Sequence, residues 1–276
     1  YYDHGIFNGE RYGFPSEGGS LQIIYINTDA MIEAGLDPET DIPTTMDEFL
    51  EVAKALTKRD EAGNIIRSGF QPRYLGGGDG VAGKYIAWFH NFGARILSED
   101  LSTSQGYVNS AEAKEAFKWF QNLVKETSNL ELGAPESAFQ SGQAAMINRE
   151  AWFADDTVQK APNINFVCAS FPAGTYDYAP GSGSSVWCNM ISARTKYPEL
   201  CQEIMAELAK PEYDITLHES AAYPPVCKAT MTLDNEYFGK QLYAEAVMNM
   251  ADKPSCPVYD LIPEWSQIVS MFGDTV

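Results

Sequence analysis

The chain alternates between short runs of β-branched and aromatic residues and longer segments in which apolar residues recur at helical spacing. Residues 21–27 form the clearest apolar run, and they follow a turn-rich segment at 14–20, so we predict a buried strand there. Residues 165–168 and 186–192 predict two further buried strands. Alternation of this kind is typical of an α/β protein, and it predicts a mostly parallel sheet.

The best-defined helix start is a capping box, in which Thr45 precedes Glu48 by three positions. Apolar residues follow at helical spacing, so an amphipathic helix is predicted after Thr45. The same periodicity returns at 113–124, again at 200–208, and twice more near the carboxyl end. The acidic segment 58–64 lacks the ligand spacing of an EF-hand loop, and we predict a solvated hairpin turn there.

A glycine-rich segment, Gly76–Gly80, opens another helix, which we predict from about Gly83 to Leu97. Backbone amides at such a helix start have no partner within the helix, and glycine permits close approach of a ligand. Gly78 and Asp79 are therefore candidates for contact with a bound hydroxyl or anion. The Lys-Ser/Thr pair of a nucleotide P-loop does not follow the glycines.

Composition limits the partners that the chain can have. Its 276 residues carry a formal net charge of −19 and are 45% hydrophobic, which leaves room for one large or two medium domains. This charge repels nucleic acid and anionic lipid, so we expect no nucleic-acid partner. No apolar run approaches the about 20 residues of a membrane span. The sequence opens at Tyr1 with neither a charged and apolar leader nor an initiator methionine, so we expect its true beginning to have been removed, either by processing or by design of the expressed sequence.

Signals for catalysis, metals and cofactors are weak. No two of His4, His90 and His218 have the spacing of a helical zinc site, and residues 181–185 do not match a serine hydrolase elbow. We therefore expect no catalytic residue, no metal and no cofactor. The five cysteines contain no C-x-x-C pair, which excludes a zinc ribbon and leaves buried thiols or one or two disulfides open. They are Cys168, Cys188, Cys201, Cys227 and Cys256.

Aromatic residues beside turns are the positive signal. A sugar presents flat C–H faces with hydroxyls at the rim, so an aromatic ring below it and polar groups at its edge form a suitable site. The candidate aromatic residues are Tyr74, Trp88, Trp152, Trp187, Tyr223 and Trp265.

Several segments, in their order and spacing, resemble the extracellular solute-binding proteins of carbohydrate ABC transporters, the family that includes maltose-binding protein. The segments are Asn8–Pro15, Tyr25–Asp29, Glu33–Pro38, Thr45–Phe49 and Ala138–Ile147. The last one contains an F-x-x-G-x-A-A-M pattern and is followed by Trp152, which the resemblance implies is a stacking residue at the ligand cleft.

The resemblance implies a class II periplasmic-binding-protein-like α/β fold, with two lobes and the ligand in the cleft between them. Much of the family's first lobe has no counterpart in this sequence. We therefore expect residues 1–17 and 186–222 to form a remnant of that lobe with the hinge crossings. Residues 18–185 and 223–276 would form a nearly complete second lobe, and apolar surface on the remnant would be poorly covered.

The expected function is capture of a carbohydrate for the permease subunits of an ABC importer. An oligosaccharide is the first choice, with glycerol-phosphate compounds and polyamines as other solutes. Trp152 and Trp265 would form apolar platforms, while groups near Glu17, Asp79 and Ser184 would bond sugar hydroxyls. The resemblance implies an extracytoplasmic protein, periplasmic or a cell-surface lipoprotein, that meets the membrane only through a lipid anchor or the permease.

Two alternatives from other classes stay open. One is a glycoside-active enzyme, which needs two carboxylates about 5 to 10 Å apart across a cleft. The other is a sensor or adhesion module that uses the same fold without transport.

Overall fold

A computed structural model describes residues 5–7, 9–17, 21–175, 187–251, 253, 259 and 262–276. Elements are numbered in chain order. The strands are β1 (Ile6–Phe7), β2 (Glu10–Arg11), β3 (Gly13–Glu17), β4 (Gln22–Asn27), β5 (Lys58–Arg59), β6 (Ile65–Phe70), β7 (Ala144–Glu150), β8 (Phe166–Ala169) and β9 (Trp187–Met190). The helices are α1 (Thr28–Glu33), α2 (Met46–Leu56), α3 (Gly78–Asn91), α4 (Ala111–Thr127), α5 (Pro135–Gln140), α6 (Phe153–Lys160), α7 (Pro198–Leu208), α8 (Pro211–Ala221), α9 (Ala244–Ala251) and α10 (Trp265–Thr275).

The main sheet has five strands in the order β5-β6-β7-β4-β8. The predicted strand at residues 21–27 is confirmed as β4, in which all six residues are buried. The prediction of a mostly parallel sheet is wrong, because β4 runs antiparallel to both β7 and β8, and β6–β7 is the parallel pair in this sheet. An apolar run encodes the burial of a strand and leaves its direction open.

An aromatic cluster forms the centre of the core beside this sheet. Trp88 of α3 is 1% exposed, and its ring centroid lies 4.9 Å from that of Phe49 and 4.3 Å from that of Phe171. Phe70, the last residue of β6, packs edge-on against Trp88 at 5.5 Å. These contacts fix α2 and α3 against the sheet, and they bury Trp88 in the core.

The capping box predicted for α2 is confirmed. The Thr45 hydroxyl accepts a hydrogen bond from the Glu48 amide at 3.3 Å, and the Glu48 carboxylate accepts one from the Thr45 amide at 3.1 Å. The hairpin turn predicted at 58–64 is also confirmed, since it joins β5 to β6. Its Asp60 carboxylate accepts hydrogen bonds from the amides of Ala62 and Asn64.

Helix α3 begins at Gly78, five residues earlier than predicted, and ends at Asn91, six residues earlier than predicted. The reason is that glycines assigned to a loop are helical. Gly77 caps the helix with φ of 89°, a conformation that glycine adopts without strain. A Cβ atom on Gly78 would lie 2.0 Å from the Ser270 carbonyl oxygen of α10, so glycine lets the two helices approach closely.

Strands β3 and β9 pair antiparallel in a two-stranded sheet of their own. The prediction that residues 186–192 form a buried strand is wrong as to burial, because Trp187 and Met190 are 67% and 66% exposed. The apolar residues of β9 lack cover in the part of the chain that the structure describes. Helix α7, which follows, also exposes apolar side chains at Leu200, Ile204 and Leu208.

Four of the five cysteines are described, and no disulfide joins any two of them. Cys256 lies outside the described residues. Burial raises the pKa of the Cys168 thiol, so this residue behaves as a small core side chain in β8.

Candidate functional site

The carboxyl ends of two strands and the start of a third lie at one edge of the five-stranded sheet. Gln22, which begins β4, pairs with Glu150, which ends β7. Ala169, which ends β8, pairs with Ile24 of β4. Strand β6 runs parallel to β7 and ends earlier, since its last residue, Phe70, pairs with Met146. We call this the sheet edge, and Trp152 follows it directly along the chain.

Five polar side chains form a buried group at the sheet edge, which we call the edge cluster. Its members are Gln22, Lys84, Asn148, Arg149 and Glu150. Each is at most 9% exposed. Buried polar groups are stable only when they find partners, so their contacts define what the group can do.

Side-chain amides fix one half of the edge cluster. Asn148 donates hydrogen bonds to the Gln22 side-chain oxygen and to the Lys84 carbonyl, the latter at 3.2 Å. Gln22 in turn donates to the Gly83 carbonyl at 2.6 Å. The two amides therefore attach α3 to strands β4 and β7.

Ion pairs fix the other half. Lys84 pairs with one oxygen of the Glu150 carboxylate, and Arg149 lies 3.0 Å from the other. Arg149 also contacts Glu136 of α5 at 2.8 Å. Burial alone would raise the pKa of Glu150, but the charges of Lys84 and Arg149 outweigh it and lower that pKa. The charges are mutually compensated, so the edge cluster supports the surface above it.

Trp152 lies on that surface and is half-buried. The Arg149 guanidinium lies over its ring, with Cζ 4.9 Å from the ring centroid. Phe153 packs edge-on against it at 5.9 Å. The Tyr25 hydroxyl donates to the carbonyls of Glu150 and Ala151, at 2.8 and 3.1 Å, and so fixes the turn that leads to Trp152. The result is an oriented aromatic ring, part of which is open to solvent.

Of the two candidates in the glycine segment, Asp79 is exposed and Gly78 is buried against α10. The side chain of Arg73 packs over the same segment. A Cβ atom added to Gly80 would lie 2.7 Å from the Arg73 guanidinium. Its Nε donates to the Leu75 carbonyl at 3.2 Å. Asp79 and Arg73 are thus polar side chains on the outer side of this segment, whereas Gly78 packs against α10.

The remaining sequence-predicted residues lie on other elements. Trp265, which begins α10, is 9% exposed, and its ring lies 4.9 Å from that of Tyr259. Trp187 is exposed on β9, and the backbone of Glu17 pairs with it. Tyr223 is half-buried just after α8. Ser184 and the side chain of Glu17 lie outside the described residues.

Sequence reasoning did not identify the edge cluster itself. Two signals were available: Lys84 interrupts an otherwise apolar helix, and three polar residues at 148–150 directly follow the apolar run of β7. A charged residue at a core position implies a buried partner. Nothing in the sequence shows that Lys84 and Glu150 are partners, because they are separated along the chain and belong to a helix and a strand.

No helix in the part of the chain that the structure describes is long and apolar enough to cross a membrane. Among the described residues, no three His, Cys, Asp or Glu side chains are close enough together to hold a metal ion. The buried ring of His90 lies 3.1 Å from the Tyr259 hydroxyl, and burial lowers its pKa to about 3.

Solved structures share this fold at low sequence identity. The cyclic α-maltosyl-1,6-maltose binding protein of Arthrobacter globiformis superposes with a TM-score of 0.78 at 18% identity, over 99% of this chain and 68% of its own. A solute-binding protein of Agrobacterium radiobacter in complex with ribitol superposes with a TM-score of 0.73 at 21% identity, over 98% of this chain and 66% of its own. UgpB of Mycobacterium tuberculosis in complex with glycerophosphocholine superposes with a TM-score of 0.74 at 17% identity, over 98% of this chain and 66% of its own. The predicted periplasmic-binding-protein-like α/β fold is confirmed.

Sequence comparison gives the family. A binding protein of Brucella abortus is 22% identical over 98% of this chain, which spans 63% of that relative's length. A binding protein of Brucella suis matches to the same extent. The family model for bacterial extracellular solute-binding proteins matches residues 1–237. This chain belongs to the bacterial extracellular solute-binding proteins, as its sequence motifs predicted.

Proposed function

We propose that this chain captures a carbohydrate outside the cytoplasm and presents it to the permease subunits of an ABC importer. The observation that carries the proposal is Trp152, an aromatic ring held at the sheet edge by Arg149 with part of its surface open. Two of the structural neighbours support a sugar or polyol ligand, since one is named for a cyclic maltosyl-maltose and another was solved with ribitol.

In this proposal the Trp152 ring packs against a C–H face of the sugar, and its open surface suits that contact. Asp79 is exposed and accepts hydrogen bonds from hydroxyls, while Arg73 donates to them. Glu17 and Ser184 remain proposed hydroxyl partners. Trp187 and Tyr223 would contribute on the hinge side, and Trp265 would support the site from within α10 through its packing on Tyr259.

We keep the proposed division of the chain into lobes. Residues 1–17 and 186–222 would belong to the first lobe and its crossings, and residues 18–185 and 223–276 to the second. Two observations support it. The β3–β9 pair forms a sheet separate from the five-stranded one, and α7 exposes apolar side chains such as Leu200 and Ile204. A separate strand pair and an exposed apolar helix face are both expected in a lobe whose remaining structure would cover them.

We further propose that the protein is periplasmic or a cell-surface lipoprotein, that an oligosaccharide is its first-choice solute, and that it does not turn the solute over. The family and the structural neighbours are binding proteins. A buried, charge-compensated Glu150 suits a supporting role better than acid catalysis, because its pKa is lowered and a general acid needs a raised one.

A thermal-shift screen tests the proposal. A solute that binds only the native state raises the melting temperature, and the rise grows with the logarithm of the solute concentration relative to Kd. We expect a rise with one class of oligosaccharide or polyol, and chromatography of the incubated sugar should show it unchanged. Release of shorter sugars would favour the glycoside-active enzyme. No shift with any carbohydrate would contradict the proposal.

A further inference from the structure

Helix α6 begins directly after Trp152 and carries two neighbouring carboxylates, Asp155 and Asp156, in its first turn. Trp152 itself has helical backbone angles, with φ of −55° and ψ of −25°. Side chains three positions apart in this conformation lie on the same face, with about 5 to 6 Å between their Cβ atoms. Asp155 is therefore a neighbour of Trp152 on one face, and both side chains are half-buried.

The carboxylates around the ring differ in whether they have a partner. Arg149 lies 2.8 Å from Glu136 and 3.0 Å from Glu150. Asp156 pairs at 2.7 Å with a lysine of its own helix. Asp155 has neither a hydrogen bond nor an ion pair with any residue that the structure describes. Its charge is uncompensated in that part of the chain.

The missing partner of Asp155 has an energetic consequence. Burial raises the pKa of this carboxyl, because the charged form is disfavoured away from water and no cation offsets that effect. An acid in the first turn of a helix ordinarily stabilises the helix through its dipole. A half-buried carboxylate without a partner instead opposes folding. The position is thus better suited to an external partner than to support of α6.

Two tyrosines and a thiol lie near Asp155, at Tyr237, Tyr243 and Cys168. Burial raises the pKa of all three, and the negative charge of Asp155 adds to that rise. The tyrosine hydroxyls already have partners, since Tyr243 bonds to Tyr237, which donates to the His218 carbonyl at 2.8 Å. Neither hydroxyl is therefore a partner for Asp155.

The bond from Tyr237 to His218 also locates Asp155 in the fold. His218 belongs to α8, which the proposed division of the chain assigns to the first lobe. Tyr237 thus joins the second lobe to α8, and Asp155 lies beside this junction and next to Trp152. Ligand sites occur preferentially between domains. The carboxylate is placed where a solute on the Trp152 ring can reach it.

The chemistry of a carboxylate limits the group that it can bind. An ionised carboxylate only accepts hydrogen bonds, and its two oxygens can accept from two neighbouring donors. Adjacent hydroxyls of a sugar ring or a polyol present such a pair. A sugar acid would instead bring a like charge to an uncompensated one, which is unfavourable.

We propose that Asp155 is a specificity-determining residue of the carbohydrate site, where it accepts hydrogen bonds from two adjacent hydroxyls of the sugar unit on Trp152. The inference rests on the proposed function, and it narrows the solute to a neutral carbohydrate.

Calorimetric titration of the full chain tests the proposal with four neutral probes: maltotriose, cellotriose, xylotriose and ribitol. For the probe that binds wild type most tightly, Asp155→Ala should weaken Kd about tenfold or more, because the lost hydrogen bonds have a charged acceptor. Asp155→Asn keeps one acceptor oxygen, so its Kd should lie between those two. The control is Asp47→Ala, which removes an exposed acid from the first turn of α2 and should leave Kd unchanged.

The acidic sugar trigalacturonate tests the preference for a neutral solute. Wild type should bind it at least tenfold more weakly than the best neutral probe. Asp155→Asn should narrow that ratio, whereas Asp47→Asn, which has the same net charge, should leave it unchanged. A ratio that narrows equally in both variants would assign the preference to the net charge of the chain and overturn the inference.

Melting temperatures separate this role from a structural one. Asp155→Asn removes an uncompensated charge, so it should melt at the same temperature as wild type or higher. A lower melting temperature would assign Asp155 to the support of α6 and overturn the inference. An unchanged Kd in Asp155→Ala, with sugar binding by wild type, would overturn it and leave the proposed function standing. Wild type that binds none of the four probes would also overturn it, and the wider thermal-shift screen then decides the proposed function.

Discussion

The guanidinium of Arg149 lies over the indole ring of Trp152, with 4.9 Å between Cζ and the ring centroid. The same guanidinium contacts Glu136 and Glu150, so the ring is connected to the buried ion pairs at the end of β7. A cation over an indole face is attracted by the ring quadrupole. Trp152 is thereby oriented in the unbound chain, which would lower the entropy cost of the solute binding that we propose.

The first prediction concerns this orientation. Arg149→Lys keeps the charge but loses the planar fork that contacts two carboxylates and stacks on the ring. We expect Kd for the cognate sugar to weaken about twofold to fivefold, since a cation–π contact contributes about 0.5 to 1 kcal/mol. Calorimetric titration of both proteins measures the change. An unchanged Kd would mean that Trp152 needs no support from Arg149.

The second prediction concerns the buried pair of Lys84 and Glu150. Lys84→Met leaves a buried carboxylate without its nearest cation, so we expect a loss of about 3 kcal/mol in the free energy of unfolding. The control is Lys54→Met, which breaks an exposed pair with Glu51 and should change stability by about 0.5 kcal/mol or less. Urea denaturation of the three proteins checks this, and equal stability of the two variants would contradict it.

The third prediction separates packing from ligand contact in the glycine segment. A Cβ atom on Gly78 would clash with the backbone of α10, whereas one on Gly83 would have open space. Gly78→Ala should therefore lower the melting temperature by several degrees. Gly83→Ala should be neutral or stabilise by up to about 1 kcal/mol, because alanine favours the helix. If both variants keep wild-type stability and Gly78→Ala loses only sugar binding, Gly78 contacts the ligand.

The fourth prediction follows from His218. A pKa raised in the folded state means that the charged ring contributes stability below its ordinary value of 6.5. That contribution is lost as pH rises through the higher folded value. We expect the stability difference between wild type and His218→Gln to shrink as pH rises from about 6 to 9, as measured by denaturant unfolding. A constant difference would contradict the pairing with Asp214.

Local signals in the sequence predicted local structure well. The Thr45 and Glu48 capping box, the turn at 58–64 and the periodic helices need only neighbouring residues, and each is found. The family followed from the order of short motifs, which is also local information. Trp152 is placed at the sheet edge, and its role in stacking stays a prediction.

What the sequence did not predict depends on distant contacts. The direction of β4 is set by its pairing with β7 and β8, which an apolar run does not encode. The helical state of Gly78 depends on α10, near the other end of the chain. Lys84 and Glu150 lie on separate elements, and only their burial side by side makes them a pair.

The central claim is that Trp152 stacks on the captured sugar, and calorimetric titration of Trp152→Ala against wild type tests it most directly. Calorimetry is done with the carbohydrate that gives the largest thermal shift, and circular dichroism checks that the variant is folded. The account predicts a loss of about 1 to 3 kcal/mol, or roughly 5- to 150-fold in Kd. An unchanged Kd in a folded variant would contradict it and would place the sugar away from the sheet edge.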